Sequence, residues 1–153
     1  YVVFFFLHAG ELAQLLTGRG EVTTRADVEN APAKYARIAA TLTGATILLK
    51  GSVDIACGPD DPLYAQGGAP AWRGVAGAGD VQAGLLGAML AGWGDELAEL
   101  GQGRGIPARI AAAASWVHGR AAHIAAGPGR GRPITASQIS AAIGSAIGDA
   151  LAN

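Results

Sequence analysis

The chain has 153 residues, of which half are apolar and only 15% are charged, with a formal net charge of −1. This length allows one domain with a buried core. A nearly neutral chain has no excess of positive charge to attract nucleic acid or an anionic membrane, so we expect neither as a partner. The single cysteine, Cys57, cannot form an internal disulfide, which favours a reducing, cytoplasmic setting and a buried, inert thiol.

The first predicted element is a strand over residues 2–7, where every side chain is apolar, as in a strand that is covered on both faces. The run is too short to cross a bilayer. Because a natural chain rarely begins inside a core strand, we expect an amino-terminal portion to precede this sequence. The chain is then predicted to turn at His8 into a short helix over 11–16, and the polar stretch 19–30 is predicted to be a connection.

A helix and a second strand follow and indicate a parallel α/β crossover. Residues 31–43 have apolar side chains at helical spacing, a proline near the start and a glycine just after the end. Residues 45–49 are a second apolar run, so strand, helix and strand make a parallel crossover. Turn-forming residues at 58–61 separate two short strand candidates, 53–57 and 63–66, which we predict to pair as a hairpin.

The second half of the sequence predicts three helices. Apolar residues at helical spacing indicate one helix that starts close to Asp80 and another that begins beside Pro107. Thr135 and Gln138 match a capping box at the start of the last helix. Four apolar residues then step by four along one face of it: Ile139, Ile143, Ile147 and Leu151.

Residues 74–80, Gly-Val-Ala-Gly-Ala-Gly-Asp, form a glycine-rich segment that leads into a predicted helix. Without Cβ atoms in the way, backbone N–H groups can point inward, and the helix dipole adds partial positive charge, so the segment suits a bound phosphate. It is neither a Walker A motif, which needs Gly-Lys-Ser/Thr, nor a full dinucleotide fingerprint, which needs glycine at position 82. Asp80 either accepts a proton from a substrate hydroxyl or caps the helix.

Several other polar residues have two interpretations each. Lys50 ends a predicted strand, where ligand sites of α/β sheets gather, but a solvated lysine would fit there too. His8 alone reads as an ordinary turn residue, and Asp54 is either a ligand or a surface residue of the hairpin. His118 and His123 lie five apart on a predicted helix and therefore on different faces, which argues against a joint metal site.

Three segments, in this order, resemble motifs of one enzyme family. Residues 6–11, Phe-Leu-His-Ala-Gly-Glu, resemble the family motif Thr-Pro-His-Pro-Gly-Glu. Residues 48–51, Leu-Leu-Lys-Gly, resemble a Leu-Lys-Gly strand end. Residues 76–84, Ala-Gly-Ala-Gly-Asp-Val-Gln-Ala-Gly, resemble Gly-Ser-Gly-Asp-Val-Leu-Ala-Gly. The family is that of the ADP- or ATP-dependent NAD(P)H-hydrate dehydratases, which are related to carbohydrate kinases. The resemblance implies a three-layer αβα ribokinase-like fold that lacks its amino-terminal strands, with residues 1–153 forming the carboxyl-terminal part of one nucleotide-binding domain.

The resemblance also implies a role for each matching residue. Two segments would contact the adenine nucleotide, ADP or ATP: Lys50, Gly51, Ser52, Val53 and Asp54, and Gly77, Ala78 and Gly79. The substrate, hydrated NAD(P)H or NAD(P)HX, would be contacted by His8 and Asp80, with Asp80 as the catalytic base. The implied reaction activates the ring hydroxyl with the nucleotide and then eliminates it to restore NADH or NADPH. Phosphoryl transfer of this kind implies Mg²⁺, for which no protein ligand is assigned.

The sequence is also compatible with two other functions. The same superfamily contains small-molecule kinases, for example for hydroxymethylpyrimidine or pyridoxal, although the Leu-Lys-Gly strand end and the His-x-Gly-Glu motif favour the dehydratase. Alternatively, the chain is a truncated domain that binds nucleotide, or only a partner subunit, without catalysis. Whichever function applies, we expect a homo-oligomer, because exposed apolar sheet edges in a fragment encourage association.

Overall fold

In the computed structural model, which describes residues 3–93, 105–129 and 131–152, a four-stranded sheet lies between two groups of helices. Its strands are adjacent in chain order: β1 (Phe4–His8), β2 (Thr46–Lys50), β3 (Asp54–Cys57) and β4 (Tyr64–Gln66). β1 and β2 are parallel, whereas β3 and β4 continue the sheet as antiparallel strands. The predicted crossover and hairpin are therefore confirmed, while Val2 of the first predicted strand lies outside the described residues.

Three helices connect β1 to β2: α1 (Ala9–Thr17), α2 (Arg25–Asn30) and α3 (Pro32–Thr43). α1 and α3 were both expected from the sequence. α2 lies in the stretch predicted to be a connection, so that prediction is wrong. This helix has six residues and one buried side chain, Val28, so it shows no apolar periodicity; a capping box between Thr24 and Asp27 starts it.

The other face of the sheet carries α4 (Ala78–Gly92) and α5 (Ile106–Ala126), and α6 (Ala136–Leu151) packs on these two helices. A short 3-10 turn, Ala71–Arg73, precedes α4. The predicted capping box of α6 is present, with Thr135 Oγ1 accepting from the Gln138 N–H at 3.3 Å. The apolar stripe predicted along α6 is buried only at its start, since Leu151 is 83% exposed. Within the described parts of the chain, no helix is long and apolar enough to cross a membrane.

Side chains of the sheet alternate between two apolar clusters, one on each face. Ile47, Leu49 and Ile55 pack with buried residues of α1 to α3, and Leu48 and Ala56 pack with buried residues of α4 and α5. The predicted three-layer αβα arrangement is therefore confirmed. β1 is covered on both faces as predicted, with Phe5 and Leu7 packed against the first cluster and Phe4 and Phe6 against the second. Its side chains are only partly buried, because β1 is an edge strand among the described residues.

Cys57 lies in the first of these clusters and is fully buried. Burial raises the pKa of its thiol. Because the thiolate is the reactive form of cysteine, this thiol is protected from oxidation and metal binding, in agreement with the sequence prediction.

Candidate functional site

The carboxyl ends of the two parallel strands place His8 and Lys50 side by side. The two residues are register partners in β1 and β2. The Lys50 ammonium lies 4.3 Å from the centroid of the Phe6 ring, a cation–π contact that holds it close to β1. Ligands of α/β sheets bind outside this edge. Strand pairing therefore brings together two residues that were singled out separately in the sequence.

The imidazole of His8 caps α1, and this contact decides where its proton lies. Nδ1 accepts from the N–H groups of Gly10 and Glu11 at 3.1 and 3.2 Å. In return, Glu11 Oε2 accepts from the His8 N–H at 2.7 Å, and Glu11 Oε1 lies 3.6 Å from His8 Nε2. Because Nδ1 is an acceptor, the neutral ring carries its proton on Nε2. His8 is thus an exposed hydrogen-bond donor at the sheet edge rather than an ordinary turn residue.

The glycine-rich segment reaches the first turn of α4 next to Lys50. Gly77 caps this helix with φ of +82°, a left-handed conformation, and an added Cβ there would lie 3.2 Å from the Cβ of Ala136. The N–H groups of Gly79 and Asp80 lie before the helical hydrogen-bond ladder begins. A Cβ at Gly79 would lie 3.4 Å from Lys50 Nζ. Backbone donors and an ammonium group therefore converge where a phosphate would fit.

Asp80 occupies the first turn of α4, where its negative charge interacts favourably with the helix dipole. Its side chain is exposed. Gly77, rather than Asp80, is the N-cap residue, so the capping interpretation of Asp80 is wrong. The position leaves the carboxylate accessible to a ligand seated on the glycine-rich segment.

Asp54, at the start of β3, is 1% exposed, so it is not a surface residue of the hairpin. Its carboxylate takes four hydrogen bonds inside the protein. Oδ1 accepts from the Gly51 N–H at 3.0 Å and from Arg73 at 2.9 Å, and Oδ2 accepts from Arg73 at 2.9 Å and from Gln82 at 2.8 Å. Gln82 also donates to Ser115 at 3.0 Å. Through the Gly51 N–H, Asp54 therefore holds the turn at 51–53 in place, and through Gln82 it connects this turn to α4 and α5.

A cleft of about 1070 Å³ opens above these residues. Most of the residues that the sequence assigned to the site line it: His8, Lys50, Gly51, Ser52, Val53, Ala78 and Gly79. Asp54, Gly77 and Asp80 are outside this lining, although each adjoins a residue within it. Strand β1, the β2–β3 turn and the start of α4 thus contribute to one concave site that is large enough for a nucleotide.

Three residues of this region were not predicted from the sequence. Arg73, Gln82 and His118 all line the cleft, and the first two also bind Asp54. His118 is 1% exposed, and neither of its ring nitrogens has a hydrogen-bond partner among the described residues. Local sequence carries no signal for these residues, because α5 and the turn at Ala71–Arg73 approach β3 only in the folded chain.

The described residues include no group of three or more His, Cys, Asp or Glu side chains arranged to hold a metal ion. Mg²⁺ commonly binds through one or two carboxylates together with phosphate oxygens, so it needs no protein cage. The donors around Lys50 and Gly79 fit the phosphates, and Asp80 is an accessible carboxylate beside them. The residues therefore fit a magnesium ion that arrives with a nucleotide.

Comparison with known proteins gives a consistent result. A family model described as NAD(P)H-hydrate dehydratase matches residues 7–143. The chain is 41% identical over 107 residues to the bifunctional NAD(P)H-hydrate repair enzyme Nnr of Mycobacterium leprae, and this alignment covers 68% of the chain and 20% of that protein. The chain is also 32% identical over 118 residues to the ADP-dependent (S)-NAD(P)H-hydrate dehydratase of Neisseria meningitidis, and this alignment covers 76% of the chain and 34% of that protein.

The fold also matches a solved structure. The ADP/ATP-dependent NAD(P)H-hydrate dehydratase from Bacillus subtilis, co-crystallized with ATP and Mg²⁺, superposes with a TM-score of 0.77 at 20% sequence identity. The match covers 97% of this chain and 48% of that one. The chain therefore spans less than half the length of each of these three proteins.

Proposed function

Because the chain belongs to the carbohydrate-kinase-related NAD(P)H-hydrate dehydratase family, we propose that it acts in the ADP- or ATP-dependent dehydration of NAD(P)HX to NAD(P)H. One observation carries the proposal: the three family motifs, far apart in the sequence, meet at one cleft. His8 and Lys50 are register partners, and Lys50 Nζ would be 3.4 Å from a Cβ at Gly79. The reaction would be that of a metabolite-repair lyase.

The nucleotide would lie on the β2–β3 turn and the start of α4. Lys50 and the N–H groups near Gly79 would bind its phosphates, and Gly77 and Ala78, where α4 begins, would place those N–H groups. Gly51, Ser52 and Val53 line the same cleft and would contact the rest of the nucleotide. Asp54 would contribute by holding this turn in place, since its carboxylate is already bonded to Arg73 and Gln82.

The hydrated nicotinamide ring would lie between His8 and Asp80. His8 would donate from Nε2, because Nδ1 is occupied by the α1 cap. Asp80 would accept the proton of the ring hydroxyl while that oxygen attacks the terminal phosphorus of the nucleotide, whose bond to the bridging oxygen breaks and releases AMP from ADP or ADP from ATP. Phosphate would then leave with the C–O bonding electrons, and a water molecule would take a proton from the neighbouring ring carbon, which restores the double bond of NAD(P)H.

Mg²⁺, when bound, would neutralise charge on the transferring phosphoryl group. The nucleotide phosphates would hold it, beside Asp80 and with no dedicated set of protein ligands among the described residues. For the working environment we propose the cytoplasm, where NAD(P)H is consumed, and a homo-oligomeric assembly in which the apolar edge strand β1 is covered.

A direct assay tests the proposal. The purified protein is incubated with NADHX, Mg²⁺ and either ADP or ATP, and the return of NADH absorbance is followed. We expect recovery that depends on the nucleotide, and an Asp80→Asn variant slowed by roughly 10²- to 10⁴-fold, the usual contribution of a general base. Asp60→Asn, in the exposed β3–β4 turn, is the matched carboxylate control and should keep full activity.

Each alternative gives a different outcome in this assay. A kinase of the same superfamily would leave NADHX unchanged and would transfer phosphate to hydroxymethylpyrimidine or pyridoxal. A non-catalytic nucleotide-binding domain would bind ADP without either reaction. Full activity of Asp80→Asn would remove the general-base role even if dehydration itself is observed.

A further inference from the structure

Two charged side chains of α2, Arg25 and Glu29, line the same cleft as Lys50, although none of the three family motifs includes them. Val28 anchors α2 in the cluster with α1 and α3, on the face of the sheet opposite to α4. The cleft therefore extends across the sheet edge, from the start of α4 to α2. Its volume of about 1070 Å³ is at the upper end for a site that holds one ligand, roughly 300–1,000 Å³, so a second ligand has room beside the nucleotide.

Arg25 lies close to His8. Gly10, in the first turn of α1, separates the two side chains, since an added Cβ there would lie 3.2 Å from His8 Cε1 and 3.9 Å from Arg25 Cδ. His8 is in turn the register partner of Lys50, and Lys50 Nζ lies beside Gly79. The contacts along the cleft thus lead from Gly79 through Lys50 and His8 to Arg25.

The guanidinium of Arg25 has donors that are available to a ligand. Its Nε donates to Glu29 Oε1 at 2.7 Å, in an ion pair whose side chains are 73% and 50% exposed. None of the described residues accepts a hydrogen bond from Nη1 or Nη2. The two nitrogens form a planar pair of donors that matches two oxygens of a phosphate. Because an exposed ion pair contributes little free energy, Glu29 competes only weakly with such a ligand.

The position of Arg25 indicates which part of a substrate it would contact. The proposed function places the hydrated nicotinamide ring against His8, and in the dinucleotide one ribose joins this ring to the pyrophosphate. A substrate that extends from His8 away from Lys50 would bring its pyrophosphate to α2. The other carboxylate at this end, Glu11, accepts from the His8 N–H at 2.7 Å, so it is already bonded within the protein. The additional phosphate of NADPHX is on the adenine ribose and therefore farther from the ring.

We propose that Arg25 binds the pyrophosphate of NAD(P)HX and, together with His8, holds the substrate at the end of the cleft opposite to the nucleotide. The proposal rests on the proposed function, from which it takes its ligand. It assigns to α2 a direct part in substrate binding. Arg25 contributes equally to the binding of NADHX and NADPHX, because both contain the pyrophosphate, and does not contribute to the binding of ADP at Lys50.

The test is calorimetric titration of the wild type, Arg25→Gln and Glu29→Gln with NADHX and with NADPHX, without ADP or ATP, so that no turnover occurs. We expect Arg25→Gln to bind both substrates more weakly by roughly tenfold, the effect of losing one hydrogen-bonded contact between charged groups. Glu29→Gln breaks the same ion pair but keeps the guanidinium, so its affinity should stay the same or rise. If the ion pair only held α2 in place, both variants would lose affinity to the same extent, which would overturn the proposal.

Arg19→Gln is the matched control, because Arg19 is an exposed arginine that follows α1 and lies outside the cleft lining. Its affinity for both substrates should equal that of the wild type, and ADP affinity should be unchanged in all three variants. Unchanged substrate affinity in Arg25→Gln would overturn the proposal, as would a loss confined to NADPHX, which would assign Arg25 to the additional phosphate. Since binding is measured without turnover, a selective loss in Arg25→Gln supports the proposal even if the dehydratase reaction fails.

Discussion

Two basic side chains of the cleft, Lys50 and His118, have opposite environments. Lys50 lies at the sheet edge, over the ring of Phe6, and can present its charge to a ligand. His118 is enclosed, so its charged form is disfavoured, and burial lowers its pKa from 6.5 to about 4. One residue can therefore present a charge to a ligand, while the other is kept neutral by its surroundings. This difference makes His118 a sensitive point for the stability of the protein in acid.

We predict that His118 makes the folded protein less stable as the pH falls from about 6.5 towards about 4. In this window the unfolded chain binds more protons than the folded one, so the free energy of unfolding decreases with decreasing pH. Between about pH 7 and about pH 5, His118 should account for a loss on the order of 2 kcal/mol. Urea unfolding of the wild type and of His118→Leu at both pH values measures this, and parallel losses in the two proteins would contradict it.

Among the elements, the start of α4 has the strictest backbone requirements. Gly77 has φ of +82°, and its Cα faces Ala136 at the start of α6, so two helix starts are packed against each other. Farther along α4, Gly87 is exposed, and a Cβ there would meet nothing within 4 Å. Two glycines of one helix thus have different roles: the first is required by geometry, and the second is not.

We predict opposite effects for Gly77→Ala and Gly87→Ala. Gly77→Ala should destabilise the protein by about 1–2 kcal/mol for the left-handed conformation alone, and should weaken ADP binding by displacing the first turn of α4. Gly87→Ala should stabilise it by up to about 1 kcal/mol, because alanine is the better helix former. Urea unfolding and ADP titration of both variants measure this. If Gly77→Ala left both the free energy of unfolding and the ADP affinity unchanged, α4 would have to start at another residue.

The elements differ in how far the sequence predicts them. α3 and α6 have local signals, Pro32 at one helix start and the Thr135 capping box at the other, and both are where the sequence places them. α2 has only the short capping box at Thr24, and it was missed. The placement of His118 depends on the approach of α5 to the cleft, which no local pattern encodes. The residues of the motifs could therefore be identified from the sequence, but the buried residues that pack against them could not.

At the scale of the whole molecule, the polar network around Asp54 joins the two halves of the chain. It connects β3 to Arg73, to Gln82 on α4 and, through Gln82, to Ser115 on α5. The Asp54 side chain is fully buried, and that of Arg73 is 12% exposed. A buried ion pair of this kind destabilises a protein strongly when only one partner is removed, because the other charge is left unpaired.

We predict that Asp54→Ala destabilises the protein by about 3–5 kcal/mol, the usual effect of breaking a buried ion pair. Asp60→Ala, which removes an exposed carboxylate near the other end of β3, should change stability by less than about 0.5 kcal/mol. The urea concentrations at the unfolding midpoints of the two variants give this difference in stability, provided that the dependence of the unfolding free energy on urea concentration is unchanged. If the two variants are equally stable, the network has no structural importance and Asp54 is free to act as a ligand.

The same network has a consequence for how the protein folds. Its hydrogen bonds join residues that are 19, 28 and 33 positions apart in the chain. Each of these contacts closes a loop, and the entropic cost of closure is recovered only when both segments are in place. The turn that would carry the nucleotide is therefore fully braced only when α4 and α5 are docked against β3. A nascent or partly folded chain would have no nucleotide site, so nucleotide binding would report on completed folding.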